Sequence, residues 1–554
     1  MGTSQSKTPS APPCGGRSDV GYRDVAEEHT DVLCAPIRGT VPDWLLATGG
    51  TIYRQSGGAF SAEHHHGFLD GLAHVSAFRM GGAGAGGVRY TNKFVRQKHY
   101  QDWRATGRRG WGGTAVAADA DEEGGPSIVS IVTRALKRLA VAVGLVEGPD
   151  PNLYADGANP NVNIWRLGGD GGAVLAAATE NDACVARMDG QTLDDRGAAR
   201  LLEGHDAITS PAHFFERSGA EGGAHHVALV MKMKEARFGG IGPPSFTFEL
   251  GFFRGNGDGG RPFEHIHSRE LTTFRWGEQG EQPLASRPSY MHSVAETDNY
   301  IVVLQGNSRL DYARLVARDF SRGFFGLFDS EDVPFEFWVY RVDREDGSVR
   351  HLADVVDAGG APGHIWHLAN AFERVDGDTG NTSIIIDASV APNLIDEDAR
   401  LVRFTIDLAN GGSVTRRPVA RATDPPAEFL NVNPAYLKKE ARYVYALGGL
   451  PYSDGSFLLK ADAGDATAAG ERRWGPIPGH WPSEPVFVPR PGGADEDDGV
   501  LLSVVIDSTT GEGASYLLVL DGATLDEVAR VAAPHVVNVG LHAHWYQPGL
   551  MTRS

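Results

Sequence analysis

From residue 39 onward, short apolar runs alternate with clusters of Gly, Asp, Asn and Pro, as in "YIVVLQ", "TSIIID", "FLLKA", "PVFVP", "GVLLSVVI" and "SYLLVL". Runs of this length, rich in β-branched residues and bounded by turn formers, predict strands, and their regular recurrence predicts an all-β protein. One segment departs from the pattern. "SIVSIVTRALKRLAVAVGLV", 127–146, sets Arg134, Lys137 and Arg138 among Ile, Val and Leu. It predicts a helix, read either as a surface helix on the core or as an interfacial helix dipping its apolar side into a membrane. No linker interrupts the strand pattern after residue 40, and Gly-rich stretches such as "GGAGAGG" are short enough to join strands.

Length and composition narrow the class further. The 554 residues are 41% hydrophobic, enough for a large core. No apolar run reaches the ~18 residues that predict a spanning helix, and no signal peptide opens the chain. Three cysteines without CxxC spacing argue for a reducing compartment. A net charge of −20 argues against a nucleic-acid partner. Residues 1–25, rich in Ser, Pro and Gly, predict a disordered arm, with one folded domain over 36–554.

Of the 20 histidines, four sit at the edges of strand-like segments: His213 in "SPAHFFE", His292 in "YMHSVAETDNYIVV", His367 in "IWHLANAFE" and His542 in "VGLHAHWY". Their separations are 79, 75 and 175 residues, against 554/7 ≈ 79 for one blade of a seven-bladed propeller. Four neutral imidazoles suit Fe, Zn, Cu or Ni and leave the full +2 charge of the ion uncompensated. Carboxylates that accept the second N–H of each ring restore the balance. Glu180 in "LAAATENDA", Glu428 in "PPAEFLNV" and Glu484 in "HWPSEPVFV" lie in apolar contexts where an ionised Glu is rarely buried, which makes them the candidates.

"AHFFE", "MHSVAETDNYIVV", "HLANAFE" and "GLHAHW" resemble the four iron-ligand motifs of the carotenoid cleavage oxygenases, and "TEND", "AEFL" and "WPSEPVFV" resemble the family's three glutamate motifs in the same order. The resemblance runs from "GTVPDWL" through "HGFLDGLAHVSAFRM" and "RYTNKFVRQ" to the C-terminal stretch, which is most similar to the animal branch. It implies a seven-bladed β-propeller with one central non-haem Fe2+ and a dome of loops and helices over an apolar substrate tunnel. It implies His213, His292, His367 and His542 as ligands, with Glu180, Glu428 and Glu484 behind His292, His367 and His542. Two departures stand out: Phe214 follows the first ligand where the family has Pro, and Ala543 replaces the Gly after the fourth, with His544 a rival imidazole.

The segment "NPNVNIWRL" aligns with a family strand that directs a β-branched residue at an open iron position, which singles out Val162. Trp366, Phe372 and Trp545 lie beside ligand motifs and are read either as tunnel lining or as core. His364 is expected beside the cavity, His64, His65 and His66 in a loop, and His225 and His226 on a surface strand. By resemblance the function is oxidative cleavage of a C=C bond of a carotenoid or apocarotenoid by Fe(II) and O2, giving two carbonyl products, retinal among the candidates. The alternatives are a retinoid isomerohydrolase acting on retinyl esters and a propeller that binds a carotenoid without turnover. Such substrates partition into bilayers, so a cytoplasmic protein that docks peripherally on membranes is expected. "MGTSQSK" fits an N-myristoylation acceptor through Gly2, with Cys14 or the 127–146 helix as second anchor, and a plastid address is the other option.

Overall fold

The structure is a computed structural model, and it describes residues 18–60, 71–81, 86–107, 159–167, 174–178, 184–200, 207–209, 213, 215–218, 224–234, 245–255, 263–274, 289–311, 328–343, 349–394, 398–409, 412–420, 426–464, 470–510 and 513–547. These fold into seven antiparallel sheets of four to six strands, plus one two-stranded ribbon. The seven sheets are the blades of a β-propeller. Five follow one another along the chain; the other two join early and late segments, one pairing Pro36–Gly39 with Glu527–Ala532 and the other Ala543–Tyr546 with Thr51–Gly57, which closes the ring.

The continuous apolar runs have a simple origin: a middle strand of a blade is covered on both faces by neighbouring blades. In Tyr300–Gln305, Val302 and Leu304 face one way, into a core with Ile384, Ile386 and Phe404 of the next blade. Ile301 and Val303 face the other way, against Leu250 and Phe252 of the blade before. Gly499–Asp507 divides in the same manner, Leu502 and Val504 packing on Phe78 and Trp545 while Leu501 and Val505 pack on Leu447 and Leu458. Burial on two faces removes the period-2 alternation that a half-exposed strand would show. Outer strands such as Ser413–Pro418 are largely exposed and carry the polar residues.

Hairpin turns use one recurring device. The carboxylates of Asp189, Asp376 and Asp521 each accept backbone N–H bonds from residues two and three positions on, an Asx-type turn that fixes the chain reversal. At the N-terminus the structure corrects an expectation. Residues 18–25 are ordered rather than part of a disordered arm: Val20 and Tyr22 pack on Phe60, Trp481 and Val539, Val25 N donates to Gly58 O at 2.7 Å, and Asn538 Nδ2 donates to Arg23 O. The segment 127–146, Gly2, Cys14 and His64 to His66 lie outside the described residues. No helix among the described residues is long and apolar enough to cross a membrane.

Candidate metal centre

The propeller axis gathers the four imidazoles. Candidate ligand atoms of His213, His292, His367 and His542 all lie within 4.8 Å of one another. His292 Nε2 stands 3.0 Å from His213 Nε2 and 3.1 Å from His367 Nε2. The rings meet edge to face at 71–82°, with centroids 4.6–5.3 Å apart, so Nε2 atoms point inward and Nδ1 atoms outward.

Two strands reach this geometry by breaking their ladders. In His364–Val375, Ile365 pairs with Val390 and Leu368 with Ala388, so one extra residue is accommodated at Trp366–His367. In Ala427–Asn431, Glu428 pairs with Leu447 and Asn431 with Tyr445, again with one extra residue. Such bulges re-aim a side chain. Phe429, inside the second bulge, adopts φ +53°, a conformation non-glycine residues rarely hold. Its ring stacks on His367 at 5.3 Å.

Behind the rings stand two of the three glutamates. Glu428 Oε2 is 2.6 Å from His367 Nδ1 and also accepts from Phe429 N. Glu484 Oε1 is 3.3 Å from His542 Nδ1, and its Oε2 accepts from Ala543 N. Burial pushes the Glu484 carboxyl up, but His542, its hydrogen bond, His544 and the Ala543 N–H outweigh that and hold it below the ordinary value. Glu180 lies outside the described residues. Asn163, which sequence reading passed over, has its side-chain amide 3.4 Å from His213 Nδ1, the ring without an expected carboxylate. Its signal was its place in "NVN", one residue after Val162.

Burial, with the neighbouring His367 and His542 charges, holds His292 neutral by lowering its pKa well below the usual range. A ring whose Nδ1–H is bound outward, as His367 on Glu428 and His542 on Glu484, turns its Nε2 lone pair inward, and lone pairs gathered in one small volume repel unless a cation takes them up. With a metal–nitrogen distance of about 2.1 Å, ligands at right angles stand ~3.0 Å apart and tetrahedral ones ~3.4 Å. The 3.0 and 3.1 Å spacings match the former. The donor set therefore fits an ion of more than four coordination positions, and a structural tetrahedral zinc fits it less well.

The remaining candidates separate. Trp366 stays beside the centre, 4.9 Å from the His292 ring and 5.6 Å from Tyr290. His364 is fully buried next to them, 5.0 Å from Trp366, and burial followed by His292 and His367 lowers its pKa to about 3. Phe372 belongs to the core: five residues beyond His367, it lies beneath the Arg403 guanidinium at 5.5 Å. Trp545 packs between the first and last blades and borders a small cavity shared with His544, Phe487 and Leu430. Val162 is buried against Phe429 and Leu541. His225 and His226 lie on a strand paired on both sides, a middle strand of its blade.

A seven-bladed propeller with four histidines converging on its axis defines the class of non-haem iron oxygenase propellers. The model of the retinal pigment epithelial membrane protein family matches residues 22–547, and the chain belongs to this family, that of the carotenoid oxygenases. A carotenoid dioxygenase of Neurospora crassa is 31% identical, covering 97% of this chain and 92% of that protein. The apocarotenoid-15,15'-oxygenase of Synechocystis is 26% identical with 95% of each covered. For a rice carotenoid cleavage dioxygenase 8 homolog, chloroplastic, 30% identity extends over 47% of each chain, so this match spans about half that relative's length. A structure of a Synechocystis apocarotenoid oxygenase variant superposes with TM-score 0.69 at 24% identity, covering 95% of this chain and 98% of that one, which establishes the shared fold. Iron is the family's cofactor, and the imidazole set fits it.

Proposed function

We propose that this protein is a carotenoid cleavage dioxygenase, which uses O2 to split one C=C bond of a carotenoid or apocarotenoid into two carbonyl products. The observation that carries the reading is the convergence of four imidazoles, two backed by glutamates, in a chain that matches the family from residue 22 to 547. His213, His292, His367 and His542 would hold the iron. When bound, ferrous iron supplies the redox centre at which dioxygen and the polyene react.

The chain's own residues position and insulate. Glu428 and Glu484 hold the Nδ1 protons of His367 and His542, fixing tautomer and ring plane and offsetting cationic charge. Glu180 is assigned the same task behind His292. Two ionised glutamates plus Glu180 against a +2 ion leave a net −1, which favours retention of the ion. Trp366, Tyr290 and the neutral His364 form an aromatic wall on one side of the ligands, suited to the face of a conjugated chain and able to keep water from it. Val162 would narrow the approach to one open position at the metal.

The substrate's preference for bilayers asks for peripheral docking, with the 127–146 segment and a lipidated Gly2 as anchors. Flotation with anionic vesicles checks this: full-length protein should co-float, and a variant lacking residues 127–146 should not. The activity test incubates iron-loaded protein with β-carotene, an apocarotenal and a retinyl ester, under air and under argon. Aldehydes from a polyene under air alone are expected, retinal among them if β-carotene is cut centrally. Product from the ester under argon would overturn the dioxygenase reading in favour of an isomerohydrolase, and stoichiometric polyene binding without products would leave a carrier.

A further inference from the structure

Six non-glycine residues among the described ones hold a positive φ, and five of them, Asp31, Leu193, Lys438, Tyr452 and Leu525, lie outside strands and helices. Phe429 alone holds it inside a strand, Ala427–Asn431. Such a conformation costs about 1–3 kcal/mol and persists where the surroundings over-determine it. Filling the core does not call for it: Leu430, the next residue, is buried in the adjoining core without a positive φ.

In a regular strand successive side chains leave on opposite faces, so Glu428 and Phe429 would part. Within the bulge between the Glu428–Leu447 and Asn431–Tyr445 pairs, both instead meet one imidazole. Glu428 Oε2 stands 2.6 Å from His367 Nδ1, and the Phe429 ring lies on the face of the same imidazole, 28° from parallel with centroids 5.3 Å apart. The two contacts constrain different motions. A hydrogen bond to Nδ1 fixes where the edge of the ring points but leaves the ring free to turn about the line of that bond; a flat group against its face removes the turn. Phe429 also reaches the His542 ring, 5.6 Å away at 61°. His367 and His542 are the two imidazoles with a glutamate at Nδ1. Phe429 is itself 6% exposed, in one buried cluster with Val162, Leu447 and Leu541.

We propose that Phe429 is a positioning residue for the metal centre: its ring sets the planes of His367 and His542, while Glu428 and Glu484 set their edges. An imidazole lone pair lies in the ring plane, so these two tilts decide how well both Nε2 atoms meet one point, and ring orientation is what supporting residues control at a histidine site. The backbone strain at Phe429 is the cost of placing a carboxylate and an aromatic face, from adjacent residues, on the same ring. The inference rests on the reading that these imidazoles hold iron for polyene cleavage.

The test uses the full-length protein. Phe429→Leu removes the flat face and keeps an apolar group of similar reach. Loaded with cobalt(II), the variant should show visible ligand-field bands shifted from those of the unsubstituted protein. Its iron affinity should fall about tenfold. In air, kcat for polyene cleavage should drop several-fold with KM unchanged. Phe429→Tyr, which keeps the face, should retain the original bands. Should Phe429→Leu fail to fold, Phe429→Met reads the same quantities. A lower melting temperature with unshifted bands and undiminished iron affinity would overturn the proposal and leave Phe429 a core residue. Failure of the dioxygenase reading is distinct: the unsubstituted protein would take up iron and cobalt yet yield no aldehyde, and the bands and affinities would still decide the role of Phe429.

Discussion

At the scale of single residues, the centre divides labour between inward Nε2 and outward Nδ1 atoms. Glu428→Gln replaces the carboxylate on His367 by an amide that is a weaker acceptor and carries no charge. Iron affinity should fall about 10–100-fold while the fold is retained, read by metal analysis after dialysis against a graded chelator and by circular dichroism. Replacing His542 by Ala should leave less than a tenth of an iron per chain. A pH effect belongs at this scale too. His535 titrates near 4 in the fold against an ordinary value of 6.5, so the unfolded chain binds more protons between those values. Its contribution to stability is complete above about pH 6.5 and is lost as pH falls toward 4; His535→Gln should flatten the melting-temperature profile over that window. The four histidines that cluster were legible in the sequence as a candidate set because each carries a motif. Asn163 and Phe429 were not, since a lone Asn or Phe beside a strand is ordinary until the partner ring is in view.

Among the strands, apolar runs of the right length were enough to place "YIVVLQ", "GVLLSVVI" and "SYLLVL" correctly, because burial on two faces writes itself into composition. Bulges leave no such trace. The extra residues at Trp366–His367 and within Ala427–Asn431 change which face a side chain meets, and a further register shift between Leu368 and Asn370 breaks any regular count from His367 to Phe372. The packing at this level gives a clean contrast with the metal site. Ile386→Ala removes a fully buried side chain from the core between two blades and should cost about 2–5 kcal/mol in denaturant unfolding, with iron stoichiometry unchanged in the folded fraction. Gly540 tolerates no such trimming in reverse: a Cβ there would sit 2.1 Å from Gln55 O, so Gly540→Ala should displace the neighbouring His542 and lower iron content more than it lowers melting temperature.

For the molecule as a whole, seven sheets share one axis, and the blades touch through their faces rather than through a common centre. The arithmetic of 79-residue spacing hinted at this architecture, but the order in which blades close could not be read from it. The pairing of Ala543–Tyr546 with Thr51–Gly57 joins the two ends of the chain, and His542 immediately precedes that closing strand. A chain emerging from the ribosome therefore offers three imidazoles long before it can offer the fourth. Metal capture at these four imidazoles would then be a late event in the life of each molecule, contingent on synthesis having passed residue 546, and a product cut short before His542 would lack both the closing strand and the fourth imidazole.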